Sequence, residues 1–217
     1  REIGPTIIFY GARLWENVAS TIQVKIADTA VVKRLIYRLC LPLGQKVFNL
    51  KTEKKEMNFF WKALYKLAWL ALFQPLLDKL GLSRIRHAYT AGTVLSPEVF
   101  SFIGALGLQL RQVYGLTEAG IISGHRHYVK RHTLGQPSAG VDVKVENEEF
   151  LVKSPGVFQG YYRNPEETAR VLKNRWFHTG DAGFFDEDEH LVLMDRVSEL
   201  LELSDGEKFA PQFIESS

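Results

Sequence analysis

Tyr114-Gly115-Leu116-Thr117-Glu118 is the stretch on which the reading of this chain turns. The run before it, Leu108-Gln109-Leu110-Arg111-Gln112-Val113, alternates apolar and polar residues and predicts a short strand ending at Tyr114. The five residues then fall where a strand opens into a loop, the place where α/β proteins put ligand chemistry. Their types suit a nucleotide phosphate: a flat aromatic face, a glycine that lets the backbone approach closely, a hydroxyl donor, and a carboxylate able to hold a hard cation such as Mg2+. The plainer reading of the same residues is a Gly-Leu turn followed by a helix-starting Thr and a surface Glu.

Upstream, Ile85 to Tyr89 predicts a strand, and Thr90 to Val94 a small-residue turn. A helix follows, with Ser96 as N-cap, Pro97 at its first position and Glu98 in its first turn. Val99, Phe100, Ile103 and Leu106 form its apolar face. Strand, helix and strand at this length imply a parallel, doubly wound unit with its ligand crevice at the strand ends.

Downstream the hydrophobic period shortens to two. Val141 to Val145 and Phe150 to Lys153 flank Glu146-Asn147-Glu148-Glu149, a hairpin signature. A short helix is expected after Asn164 as cap, with Pro165 first and Glu167 at the capping-box position. In Trp176-Phe177-His178-Thr179-Gly180-Asp181 the Gly-Asp pair reads as a tight turn from which a carboxylate protrudes. Two such oxygens can accept both hydroxyls of a ribose, although an Asx-turn explains the same residues. Ala182 to Phe185 and His190 to Met194 form a further hairpin that delivers Asp195-Arg196. The histidines have no metal-ligand spacing and read as structural.

At the other end, Thr6 to Phe9 is a strand, and Leu14, Val18 and Ile22 give the next helix an apolar face. Residues 30 to 80 read as two or three helices, broken near Pro42-Leu43-Gly44 and at Gln74-Pro75. Their apolar side is aromatic: Phe48, Phe59, Phe60, Trp61, Tyr65, Trp69 and Phe73. Such a stripe is usually core; the alternative is a surface that rests on anionic lipid and offers an aromatic doorway to an acyl chain. Charge favours asking the question, because the window from Lys33 to Lys66 holds nine basic residues against Glu53 and Glu56 within a chain whose net charge is only +2.

With 217 residues, 46% of them hydrophobic, the chain can bury a sizeable core. Its single cysteine, Cys40, excludes an intramolecular disulfide and a Cys-based zinc site. A cytoplasmic setting is expected, since there is neither a secretory signal pattern nor a run of about 18 apolar residues. From the opening on Arg1 and the abrupt Glu-Ser-Ser ending, a fragment is expected. No nucleic-acid partner is expected.

Taken together and in order, these motifs resemble the adenylate-forming (AMP-binding) superfamily, and within it bacterial long-chain fatty-acid CoA ligases. Tyr114 to Glu118 resembles the superfamily's core motif, Tyr89 to Pro97 its adenine-binding turn, Trp176 to Asp181 its ribose motif, and Met194-Asp195-Arg196 the approach to its interdomain hinge. Pro5, Thr6, Arg13, Leu14, Trp15 and Glu16 match the segment leading into the helices beside the acyl site.

The resemblance implies an α/β fold, part of the large adenylate-forming domain, with a helical insertion and a small β-barrel subdomain. It places the strand and helical segment in residues 1–80, the α/β unit in 81–130, the barrel in 131–195, and the hinge with the start of a carboxy-terminal domain in 196–217. It implies ATP, Mg2+ and coenzyme A as cofactors and a long-chain fatty acid as substrate. An adenine would lie between the Ala91-Gly92-Thr93 backbone and the Tyr114 ring, beside Gly115; Asp181 and Arg196 would contact the ribose. Thr117 would donate to the α-phosphate, and Glu118 would hold the metal. Ser198 departs from the pattern, which expects a charged residue in the hinge. The Pro-Lys-Gly phosphate loop and the catalytic lysine of the carboxy-terminal domain are missing from these residues, so the parent is expected to be the ATP-dependent acid-thiol ligase and the isolated chain inactive. Two other readings remain: a non-catalytic module that binds nucleotide or acyl-AMP, and a basic domain peripheral to the inner face of the membrane.

Overall fold

The computed structural model describes residues 4–53, 55–92, 95–126, 129–202 and 208–209. It divides into two compact units, residues 1–111 with 127–131, and residues 112–126 with 132–217.

In the first unit, strand β1 (Ile7–Gly11) pairs in parallel with β2 (His87–Ala91), Ile7 opposite His87 and Gly11 opposite Ala91. The long crossover between them is helical, as a parallel pair requires. Helix α1 (Ala12–Ala27) buries Ala12, Trp15, Ala19 and Ile22, while Leu14 stays half-exposed. Its apolar face is therefore rotated one residue from the Leu14-Val18-Ile22 expectation, because the Trp15 indole offers more area and donates to the Tyr89 carbonyl at 3.1 Å.

Neither expected break falls where proline placed it. Helix α2 (Val31–Thr52) runs straight through Pro42. Two residues on, Gly44 lies so close to α5 (Pro97–Ala105) that an added Cβ would be 2.5 Å from the Ala105 carbonyl oxygen. That backbone approach holds α2 in place where its own hydrogen-bond ladder is interrupted. Likewise α3 (Phe59–Ala68) passes through a π-helical turn at Trp69–Phe73 directly into α4 (Gln74–Leu80), so the helix widens just ahead of Pro75 instead of ending.

The aromatic stripe splits in two. Phe73 is fully buried, and Phe48, Tyr65 and Trp69 pack against the same core as Trp15, Phe100 and Ile103. Phe59 and Phe60, at 85% and 65% exposure, face solvent. Helix α5 carries its expected cap, with Ser96 Oγ accepting from Val99 N at 3.4 Å.

The second unit is β-rich. Strand β3 (Leu110–Leu116), whose first two residues fall in the first unit, pairs antiparallel with β4 (Gly120–Gly124), and β4 with β5 (Gln136–Pro137). Strands β6 (Asp142–Glu146) and β7 (Glu149–Lys153) form a hairpin on the two-residue turn Asn147-Glu148, both with positive φ, 50° and 68°. Next come α6 (Pro165–Val171) and β8 (Leu172–Lys173), then the long strand β9 (Trp176–Phe185) and β10 (Leu191–Arg196).

The sheet order is β10-β9-β7-β6, with β8 also on β9, and every pair is antiparallel. Among the described residues β6 and β10 do not meet, so this is an open sheet and not the expected closed barrel. Four strands are too few to curl around an interior of their own. Phe150, Val152, Phe177 and Leu191 instead share one core with Ile122 and Tyr114.

Candidate active site

Three of the predicted site residues converge inside the second unit. Tyr114 lies within β3, two residues before its end, and not at the strand's last position. It is buried, its ring 6.2 Å from that of Phe150. Its hydroxyl donates to Asp181 Oδ2 at 2.5 Å. Asp181 is itself buried and sits mid-strand in β9, so the expected protruding tight turn is not formed. Gly180 imitates a turn, since its φ of +71° is the conformation of a turn glycine although it lies within the strand.

Arg196 on β10 is the register partner of Asp181. Its Nη1 lies 3.0 Å from Asp181 Oδ1 and donates to the Thr179 carbonyl at 3.1 Å. The guanidinium is half-exposed and the carboxylate is almost fully covered.

Burial decides the electrostatics of this cluster. It pushes the Tyr114 phenol far above its ordinary range, and the neighbouring Asp181 charge adds to the effect. It also raises the Asp181 carboxyl, against the opposing pull of the Tyr114 hydroxyl and the Arg196 charge. Both oxygens of Asp181 are thus engaged, yet a carboxylate has about four acceptor sites, so each keeps room for a further donor.

A layer that the sequence reading missed holds this turn of β9. Glu149 Oε1 accepts from Gly180 N at 2.8 Å, and its Oε2 meets His178 Nδ1 at 2.9 Å. Thr179 Oγ1 donates to the Phe150 carbonyl at 2.8 Å and accepts from Asp181 N at 3.1 Å.

The other half of the core motif forms the β3–β4 turn. Thr117 is exposed there. Gly115 is required by packing within the hairpin: a Cβ would stand 2.3 Å from the Gly120 carbonyl oxygen. Glu118 is anchored twice, its carbonyl accepting from Phe158 N at 2.7 Å and its Oε1 from the Tyr161 hydroxyl at 2.9 Å. Tyr161 is a second residue that sequence reasoning did not single out. A half-buried carboxylate with Oε2 still to be shared is the hard-oxygen donor that Mg2+ takes, usually one or two at a time beside substrate phosphates.

Ala91 and Gly92 belong to the first unit, at the end of β2. Gly92 has φ +97° with open space around its missing Cβ, so backbone conformation alone calls for glycine. Thr93 and Val94 lie outside the described residues, as do Lys54 and most of the Gly206 to Pro211 stretch.

An α/β unit with a parallel strand pair, followed by an antiparallel sheet carrying these motifs, is the architecture of an adenylate-forming domain. Residues 2–162 match the AMP-binding enzyme family, and the chain belongs to that family. It is 33% identical over 234 residues to long chain acyl-CoA synthetase 1 of Arabidopsis thaliana, a match covering all of this chain and 34% of that protein. It is 26% identical over 214 residues to the long-chain-fatty-acid–CoA ligase FadD15 of Mycobacterium bovis, covering 97% of this chain and 35% of that one. The fold is similar to that of ATP-bound MatB from Rhodopseudomonas palustris, with a TM-score of 0.59 and 24% identity over 69% of this chain and 33% of that one. The chain therefore spans about a third of the length of the curated relatives it matches.

Proposed function

We propose that this chain is the nucleotide-binding segment of a long-chain fatty-acid CoA ligase, which activates a fatty acid with ATP to acyl-AMP and passes the acyl group to coenzyme A. The observation that carries the reading is the contact of the buried Tyr114 and Asp181 with the half-exposed Arg196, three residues from separate motifs of the sequence. The names of the relatives supply the substrate class.

In this reading the ribose hydroxyls donate to the remaining acceptor sites of Asp181, and Arg196 steadies the same sugar. Within the second unit Tyr114 contacts the adenine, with Gly115 beside it; Ala91, Gly92 and Thr93 are carried as adenine-turn residues by motif resemblance alone. Thr117 donates to the α-phosphate, where negative charge builds as the fatty-acid carboxylate attacks phosphorus and pyrophosphate leaves. Glu118, whose Oε1 accepts from the Tyr161 hydroxyl, would hold Mg2+, and the metal would supply charge that screens the triphosphate. Attack of the coenzyme A thiolate on the acyl carbonyl then expels AMP, a far better leaving group than a bare carboxylate oxygen.

The test is acyl-CoA formation by the parent protein across a ladder of acids from acetate to hexadecanoate. The long-chain reading expects kcat/KM to rise with chain length; a preference for acetate or an aryl acid contradicts it. Since these residues contain no Pro-Lys-Gly loop, the isolated chain is expected to bind AMP with little turnover.

A peripheral membrane contact at the inner face is a compatible second reading, favoured by one observation. Helices α2 and α3 contain no acidic residue, yet expose Leu35, Leu39, Phe59, Phe60 and Leu67 between lysines and arginines. No helix among the described residues is long and apolar enough to cross a membrane. Vesicle binding that falls as salt rises, and falls again when Lys51 and Lys55 are neutralised, is the expected result; salt-independent binding contradicts it.

A further inference from the structure

Between β3 and β4 the turn Thr117-Glu118-Ala119 carries one carboxylate. A glutamate in such a turn has several staggered rotamers open to it. Here a residue 43 positions on takes hold of it: Tyr161, in the segment leading into α6, donates its hydroxyl to Glu118 Oε1 at 2.9 Å. Tyr161 is itself held from two sides. Its ring meets that of Phe158 at 4.8 Å, nearly perpendicular, and Phe158 stands edge-on to the buried Phe177 at 5.8 Å. Its backbone N–H donates to Thr168 Oγ1 at 2.9 Å, and that hydroxyl donates to the Asn164 carbonyl at 2.8 Å. The same segment fixes the Glu118 backbone through the bond from Phe158 N to its carbonyl, so turn and phenol belong to one frame inside the second unit.

From this we infer that Tyr161 is a positioning residue for the Glu118 carboxylate: its hydroxyl sets the direction in which the turn presents its negative charge to a divalent cation. The inference rests on the reading of Glu118 as the carboxylate that holds Mg2+, and adds the side chain that orients it. The choice of donor supports this role. A phenol is neutral, so it orients the carboxylate without cancelling its charge, which stays available to a hard cation. Arg170 on α6 is committed to Glu167 by two bonds, and among the described residues no lysine or arginine pairs with Glu118.

The balance of effects points the same way. A single hydrogen bond between half-exposed groups adds little to the stability of a fold, whereas losing a partner that orients a ligating carboxylate changes metal affinity by about 10–100-fold. The support behind Tyr161 suits such a task, because a donor is only as well placed as the backbone that carries it. Gly160 is part of that support: a Cβ there would stand 2.6 Å from Thr168 Cγ2, so the chain reaches Thr168 only without a side chain.

The test separates metal-supported from metal-free binding in the parent protein. Affinity for α,β-methylene-ATP with Mg2+, and for AMP in EDTA, is measured calorimetrically in Tyr161→Phe, Glu118→Gln and the double variant. Tyr161→Phe keeps the ring against Phe158 and removes one oxygen. It is expected to weaken the Mg2+-supported binding by about tenfold and to leave AMP binding in EDTA unchanged, a split that damage to the fold would not produce. Glu118→Gln should weaken the Mg2+-supported binding at least as much, and the double variant no further, because the phenol acts through the carboxylate. If Glu118→Gln weakens that binding and Tyr161→Phe does not, the metal reading stands and the role of Tyr161 falls. If neither does, the metal reading falls and the inference with it. Additive losses in the double variant, or AMP binding weakened equally in Tyr161→Phe, would make Tyr161 a support of the fold alone and overturn the inference.

Discussion

The phenol of Tyr114 and the carboxylate of Asp181, 67 residues apart in sequence, share a buried hydrogen bond of 2.5 Å. A buried acceptor that loses its donor keeps the full cost of its desolvation, which makes this contact sensitive to the removal of one oxygen atom. Tyr114→Phe is expected to lower stability by about 1–3 kcal/mol, measured by urea unfolding. Because the lost bond favours the charged carboxylate, the Asp181 carboxyl should move still higher, visible by NMR titration. An unchanged unfolding midpoint would show that the bond is not formed in solution.

The same phenol gives stability a dependence on alkaline pH. Its folded-state value is raised above the ordinary 10.0. The contribution is therefore complete below that pH, and is lost as pH rises past it, where the unfolded chain ionises and the folded one resists. Tyr114→Phe should show a shallower decline in unfolding free energy from pH 9 upward, by at most about 1.4 kcal/mol per pH unit for one group. Parallel curves for the two proteins would contradict the burial of the hydroxyl.

Glu149 positions the Gly180-Asp181 backbone through a charged acceptor. Glu149→Gln keeps the shape but replaces the charge and leaves only one acceptor for two donors, Gly180 N and the His178 ring. A loss of about 1–2 kcal/mol is expected, together with weaker AMP binding. If stability falls and AMP affinity does not, Glu149 supports the sheet alone.

Gly115→Ala places a methyl group against the Gly120 carbonyl oxygen, at 2.3 Å before relaxation. Backbone cannot give way as a side chain can, so a cost of about 1–3 kcal/mol is expected by chemical denaturation. Gly120→Ala faces open space but a φ of +68°, and should cost less, about 1 kcal/mol. The reverse order would place the close approach elsewhere.

Local signals in the sequence were the legible ones. Ser96 and Asn164 cap their helices as their neighbours predict, Asn164 Oδ1 accepting from Glu167 N at 3.1 Å. Even there the box is incomplete, since Glu167 turns to Arg170 at 2.8 Å rather than back to the cap. Proline predicts breaks near positions 42 and 75, but helix-to-helix packing and a π-helical turn absorb it there. Asp181 is legible in the sequence as a candidate residue but not as a buried one, because a strand containing a glycine at positive φ imitates a turn. Glu149 and Tyr161 could not be found at all. Their partners lie 31 and 43 residues away, and no periodicity or spacing carries a contact of that range.

The central claim is that one chain holds a nucleotide site built on Asp181. Calorimetric titration of the 217 residues with a non-hydrolysable long-chain acyl-AMP analogue, and with AMP, tests it most directly. Asp181→Ala and the half-exposed Arg196→Ala serve as variants, the second guarding against a fold lost with the buried carboxylate. The account predicts acyl-AMP binding tighter than AMP and weakened by both substitutions. No binding by a chain whose circular dichroism shows it folded, or binding indifferent to both changes, would contradict it.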